Sequence, residues 1–229
     1  MNRWIDFRVS VLCVALCSVS RAETLDEILT HMDRSARTFQ SMSAKLKLSD
    51  YTAVINDTNN RSGEVRLMRG KNGIEGLVRF DQPEAQIIHT DNRETKIYYP
   101  KANTVEVYDT SNYSGIIDRL LLGFSTSGKE LSHDYTIKLV GPETVNGMPT
   151  TRISLTPKTP DLQKLVSTID LWIPEGESYP VQEKAITPSK DYKLFDYSDV
   201  KISPPAPKLK ESDLKLNAPK SAREIHPQK

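Results

Sequence analysis

The residues that covalent chemistry would need are few and scattered. Gly123 to Lys129 spells G-x-x-x-x-G-K, the skeleton of a loop that cradles phosphates. Glu130 stands where a Ser or Thr hydroxyl would reach magnesium, and the segment before it patterns as a helix where a strand is required, so the stretch reads as a surface loop. His31, His89, His133 and His226 match no metal spacing, and no cysteine follows Cys13 and Cys17 to help them. There is no G-x-S-x-G elbow, His133-Asp134 is a lone dipeptide, and Asp57 and Asp109 are turn carboxylates. No catalytic residue, metal site or cofactor is assigned, and no enzyme activity is expected.

Two other features carry a functional reading. The first is Ser114 to Phe124, SGIIDRLLLGF, where Ile116, Ile117, Leu120, Leu121 and Phe124 are spaced for a short helix that Leu122 makes apolar on most sides. Gly115 and Gly123 bracket it. It is either an ordinary core helix or a movable cover, with the glycines as hinges. The second is Arg69, which shares parity with Val65 and Leu67 and so sits at the rim of an apolar face. If the strand stops at Met68, it is a solvated turn residue instead.

The elements that would position these residues follow from periodicity. Leu25, Ile28, Leu29, Met32, Ala36 and Phe39 form one helical stripe, and Thr24 with Glu27 makes a capping box at its start. After Ser41 the period becomes two. Ala44, Leu46 and Leu48 alternate with lysines, and the pattern continues through Val65 and Leu67, then Ile74 to Phe80, Thr95 to Tyr99, and Val105 with Val107. It resumes at Tyr135 to Leu139, Ile153 with Leu155, Val166 to Ile173, Val181 to Ile186 and Tyr192 to Val200. Turn residues such as Asn146-Gly147 separate the runs. About ten alternating strands predict an antiparallel sheet with one apolar and one wet face. So many strands must curl. The tail from Ser203 holds five of the 14 prolines, and is expected to cross over, add a short strand at Asp213–Leu216 and end loosely over 219–229. One domain, 23–218, is expected.

The chain has 229 residues, 31 basic and 30 acidic, so its formal net charge is +1. That balance lacks the basic excess of a dedicated nucleic-acid binder. Arg3 and Arg8, the apolar run Val9 to Val19, and the small residues Ser20 and Ala22 read as a secretory signal (residues 1–22) cleaved before Glu23. The run is short for a membrane span, which needs about 20 residues. Leu12 and Leu16 precede the two cysteines, where a lipoprotein signal has a small residue. The remaining chain carries no cysteine, so its stability must come from its core rather than from disulfides.

The order of these parts resembles the LolA family of periplasmic outer-membrane lipoprotein carriers. The likeness rests on TLDEILTHMD, SGEVRLMRGKNG, RFDQPEAQIIHTDNRETKIYYPKANTVEVYD, LLLGF, GPETVNGMPTTRISLTPK, IDLWIPEGESYPVQEKAI and DYKLFDYSDVKISP, in that order, over about residues 23 to 218. The resemblance implies a mainly β fold with a few helices: a strongly curved antiparallel sheet forming an unclosed half-barrel, closed by a helical lid over a hydrophobic cavity. It implies a monomeric periplasmic carrier of lipoprotein acyl chains or lipid, loaded by an inner-membrane extracting transporter and unloaded by an outer-membrane receptor. It also implies that Arg69, in RLMRGKNG, helps to hold the lid closed, with Ile116, Ile117, Leu120, Leu121 and Phe124 in the lid. Val65, Leu67, Val78, Phe80, Ile97 and Tyr99 are the candidate cavity-lining residues. The sequence departs from the best-known members at Gly70, where a proline often follows that arginine, and in having a single tryptophan, Trp172, beyond the signal. Related half-barrels also serve as sensors of lipid or lipoprotein that act through a protein partner, and this is the alternative function.

Overall fold

The computed structural model describes residues 23–71, 73–91, 93–109 and 122–227. The signal segment and most of the expected 114–124 helix lie outside these residues. The apolar stripe at the start forms α1 (Leu25–Thr38), with Ile28 and Met32 buried. Its capping box is complete: the Glu27 amide donates to Thr24 Oγ1 at 3.3 Å, and the Thr24 amide donates to Glu27 Oε2 at 2.8 Å. Both bonds satisfy donors that a helix start leaves free.

Six strands follow: β1 (Ser41–Thr52), β2 (Asp57–Gly70), β3 (Gly73–Gln82), β4 (Gln86–Thr90), β5 (Glu94–Tyr99) and β6 (Thr104–Asp109). After α2 (Gly128–Asp134) come β7 (Tyr135–Val145), β8 (Met148–Pro157), α3 (Pro160–Leu165), β9 (Thr168–Pro174), β10 (Gln182–Ile186), β11 (Tyr192–Ser203) and β12 (Arg223–Ile225). All twelve strands form one sheet in the order β12-β6-β5-β4-β3-β2-β1-β11-β10-β9-β8-β7. Two meanders meet where β1 pairs with β11, and β12 and β7 remain as edges of an unclosed, curled sheet. The fold is therefore the expected α+β half-barrel. Sheet curvature has a local device at the β2–β3 bulge, where a Cβ on Gly63 would stand 1.8 Å from the Arg79 carbonyl oxygen.

The inner face carries α1 and α2. One cluster gathers Phe39, Met42, Leu46, Leu48, Val65 and Leu67 with β3 and β11 residues. A second gathers Ile28, Met32 and Leu131 of the helices against Ile153, Leu155, Ile169 and Leu171. The close helix approach depends on Gly128, whose added Cβ would lie 2.7 Å from the Leu29 carbonyl oxygen. The stretch 123–129 is not wholly the expected surface loop: Ser127 and Glu130 make a capping box, and Gly128 opens α2.

Three expectations are corrected at the other face. The tail, expected to be loose over 219–229, is tied down within its described part: Arg223–Ile225 pairs in parallel with β6, Asn103 Nδ2 donates to the Ser221 carbonyl at 3.1 Å, and the Arg223 amide donates to the Asn103 carbonyl at 2.9 Å. Glu211–Leu214 is a single 3₁₀ turn, not a strand. Nor is the outer face uniformly wet. Met68 and Leu77 pack under Leu209 and Leu214, and Tyr98, Val105 and Val107 pack under Leu216, Ala218 and Ala222. Val105 and Val107 thus face outward, because Glu106 between them lies on the inner row opposite Ile97. The doublets Leu67-Met68, Leu77-Val78 and Tyr98-Tyr99 supply apolar residues to both faces, and the tail straps down the outer set.

Leu214 is 2% exposed at the centre of the strap. Leu214→Ala is expected to lower unfolding free energy by about 2–5 kcal/mol, the range for a buried leucine. Urea denaturation measures it, and a loss below about 0.5 kcal/mol, typical of a surface change, would show that the strap is dispensable.

The inner face as candidate binding site

Strand register places the candidate cavity residues on one surface. Val65 pairs with Val78, Val78 with Ile88, and Ile88 with Ile97, making a row across β2 to β5 that Ala44 extends onto β1. Leu67 and Phe80 lie on the same face one step to either side. Val65, Leu67, Val78 and Phe80 are buried in the first cluster, whereas Ile97 and Tyr99 are half-buried further along the sheet. Toward β6 this face turns polar. Glu106 Oε2 accepts from the Tyr99 hydroxyl at 3.2 Å and from the Tyr108 hydroxyl at 2.8 Å, and the latter bond pushes the Tyr108 pKa up to about 12. Arg61 lies 4.4 Å from the centre of the Phe80 ring and donates to Gln86 Oε1 at 2.9 Å. The surface is an apolar basin with a hydrogen-bonded rim.

The seam between the two inner clusters is crossed by the turn at Leu122–Ser125. Leu122 joins the helix-side cluster and Phe124 joins Val65, Leu67, Val78 and Phe80. The Phe124 ring meets Tyr197 edge-on at 5.0 Å and stacks on Tyr179 at 6.1 Å. Ile116, Ile117, Leu120 and Leu121 lie outside the described residues.

Arg69 holds a helix, and the helix is α1. Its Nε donates to the Phe39 carbonyl and its Nη2 to the Ala36 carbonyl, both at 3.1 Å, while its backbone amide donates to the Gln40 carbonyl at 2.8 Å. A cation on the last carbonyls of a helix satisfies free acceptors and opposes the negative end of the helix dipole. β2 continues through Gly70, so Arg69 is a strand residue. Trp172 is on the outer side, where its indole Nε1 donates to Glu143 Oε2 at 2.6 Å and Arg152 lies 5.0 Å from its ring; it clusters there with Val145 and Val181 against Tyr179, the ring that stacks on Phe124.

Sequence reasoning missed Glu183. It pairs with Leu171 on β9 and Phe195 on β11, is 0% exposed, and neither carboxyl oxygen has a hydrogen-bond partner among the described residues. The Tyr197 hydroxyl, two residues past Phe195 on the same face, is also buried without a partner among the described residues. Burial raises the Glu183 pKa well above the ordinary carboxylate value. The available signal was parity: Glu183 is in phase with Ala185, which packs on the inner cluster.

A cleft of about 390 Å³ also opens on the outer face, where Lys45, Glu64, Arg66, Asp199 and Lys201 lie beneath Leu209 and Asp213. Lys45 pairs with Asp199 at 2.7 Å and Arg66 with Glu64 at 2.9 Å, so this space is polar and its charges are largely neutralised in pairs. Among the described residues no group of three or more His, Cys, Asp or Glu is placed to hold a metal, and no helix is long and apolar enough to cross a membrane.

No family model matches the chain, and no curated protein matches it. Solved structures do. An uncharacterized conserved protein from Thermus thermophilus superposes with a TM-score of 0.55 at 12% identity, covering 88% of this chain and 98% of that one. MucB superposes with a TM-score of 0.52 at 14% identity over 84% of this chain, and the match spans 62% of MucB. A LolA superfamily protein from Nitrosomonas europaea, 14% identical, matches 85% of this chain and 98% of its own length with a TM-score of 0.38. These likenesses are of fold. The architecture is an unclosed, curled half-barrel, the arrangement that the sequence resemblance implied.

Arg69→Leu removes both carbonyl caps and is expected to cost about 1–2 kcal/mol, with faster amide exchange at Phe39 and unchanged β-sheet signal. Unaltered stability and exchange would show that the caps are idle. Glu183 generates a pH dependence. From about pH 4.5 upward the unfolded chain releases this proton while the folded chain keeps it. The folded state then binds more protons, so stability falls as pH rises until the raised folded pKa is passed. Thermal melts across that window should show a decline in the wild type that Glu183→Gln flattens. An identical slope in both proteins would exclude Glu183 as its source.

Proposed function

We propose that the chain is an exported, non-enzymatic carrier that shelters acyl chains of a lipoprotein or lipid on its inner face and moves them through the periplasm toward the outer membrane. The observation that carries the reading is the basin of Val65, Leu67, Val78 and Phe80, continued by the half-buried Ile97 and Tyr99, on the helix-bearing face of an unclosed sheet. Each methylene moved from water into such a surface contributes about 0.8 kcal/mol. An unclosed sheet can admit a chain along its length without threading a closed ring. The turn carrying Phe124 is the part of the cover that an entering chain would displace, since its contacts are side-chain packing on Tyr197 and Tyr179 rather than strand pairing.

Transfer on this reading is reversible binding with no bond made or broken. It requires an inner-membrane extracting transporter as donor and an outer-membrane receptor as acceptor, the partners that the resemblance implies. The cleavable signal read from residues 1–22 supplies the export step.

Two measurements test the proposal. Native mass spectrometry of the exported protein should detect bound lipid, and oleate should displace an environment-sensitive apolar dye. Ile97→Asp, at a half-buried inner position, is expected to weaken dye binding at least about tenfold, as a charge in an apolar site should, with little change in melting temperature. Failure of the wild type to bind lipid or any acyl probe would overturn the carrier reading, as would undiminished binding by Ile97→Asp to its lining by this face.

A further inference from the structure

We propose that Glu183 and Tyr197 form a polar anchor inside the half-barrel for the head of an uncharged acyl ester bearing a free hydroxyl, the chemistry of a mono- or diacylglycerol unit. This rests on the carrier reading and adds to it the orientation and class of the bound group.

The placement is the first argument. Glu183 sits on the inner face between Leu171, which belongs to the helix-side cluster, and Phe195, which belongs to the basin. Phe195 pairs in turn with Leu48, and Tyr197 pairs with Leu46. The carboxyl and the phenol therefore interrupt a continuous aliphatic and aromatic surface at its seam, beside Phe124.

The second argument is their isolation. Both Glu183 oxygens and the Tyr197 hydroxyl are buried and unpartnered among the described residues. The adjacent side chains are engaged on the other face: Lys184 stands 4.1 Å over the Tyr192 ring, and Gln182 donates to Asp196 at 2.6 Å. An unpaired buried carboxyl opposes folding, and a leucine between Leu171 and Phe195 would extend the surrounding core. Polar groups held at such a cost to stability, in the interior of a binding surface, are characteristic of a ligand site.

The chemistry of the pair sets the class. Burial favours the neutral carboxyl. A neutral carboxyl and a phenol each donate one hydrogen bond and accept others. Together they match an ester carbonyl, which accepts, and a neighbouring hydroxyl, which donates and accepts. A phosphate or a free carboxylate could accept the same hydrogen bonds but would bring an uncompensated charge to the buried seam, so it is disfavoured as the anchored head, and oleate would compete through its chain alone. The head therefore lies at the seam, and the acyl chain runs from it along the Val65–Ile97 row.

The test compares 1-monooleoylglycerol with an apolar polyene dye on the full exported chain. The wild type should bind both. Glu183→Leu should raise the melting temperature, leave dye affinity within about twofold, and weaken monooleoylglycerol about tenfold, the loss expected for one buried hydrogen-bonding group. Glu183→Gln, which keeps a donor and an acceptor, should recover most of that loss, and Tyr197→Phe should weaken monooleoylglycerol alone by a few-fold. If Glu183→Leu weakens both probes equally, Glu183 is a packing residue; if neither it nor Tyr197→Phe weakens monooleoylglycerol, the pair is no anchor. Either result overturns the anchor while the dye still reports a carrier. A wild type that binds neither probe would overturn the carrier reading and the anchor with it.

Discussion

The pairing of β1 with β11 is the constraint on which the rest of the molecule depends. It joins residues 41–51 to residues 192–203, near the two ends of the domain, and turns two separate meanders into one curved sheet. The seam is reinforced along its length. Tyr51 stacks on Tyr192 at 4.8 Å, Lys193 pairs with Asp50, Lys45 pairs with Asp199, and the Ala53 amide donates to Asp191 Oδ1 at 2.7 Å. Without it the basin would lose a wall, since it draws Met42, Leu46 and Leu48 from β1 and Phe195 and Tyr197 from β11. Contacts so distant in sequence form only after long loops close, which makes this a slow-folding topology by nature.

The end of α1 is fastened to the same seam. The Gln40 amide donates to the Ser203 carbonyl, the Arg69 amide donates to the Gln40 carbonyl, and the Arg69 guanidinium reaches back to Ala36 and Phe39. Helix, first hairpin and last long strand therefore meet at one point. The family resemblance gives Arg69 the task of clasping a cover, and here it clasps the helix that roofs the inner face. Its effect on the basin runs through the position of α1 and Phe39, since Phe39 is itself a basin residue.

Much of this was legible in the sequence for a physical reason: alternation and capping are local. Thr24 and Glu27 announced α1, Asn146-Gly147 announced the β7–β8 turn, and strict alternation through Val65, Leu67, Val78 and Phe80 put those residues on one face. What escaped were features decided by distant partners. The tail's strand has only three residues and exists because β6 offers an edge. Val105 and Val107 face outward because register with β5, not their own alternation, sets their side. Trp172 lies between Leu171 and Ile173 and is carried to the outer face by the same parity. Glu183 looks like any strand carboxylate until both neighbouring strands are in place.

On the proposed carrier reading, an acyl chain would meet a basin whose described side chains already pack on one another. It must exchange its own methylenes for contacts that Phe124 and α1 already make. The net gain on that reading is the transfer free energy less the packing displaced, a difference that would keep release as accessible as capture. A deep, rigid void would bind more tightly and deliver poorly. Two kinds of residue adjust the balance from opposite sides. Arg69 and the capping box of α1 stabilise the closed arrangement, while the unpaired Glu183 and Tyr197 destabilise it from within. A ligand that satisfies the second pair recovers what the empty protein forgoes, so affinity can be directed to one head chemistry without a larger apolar surface.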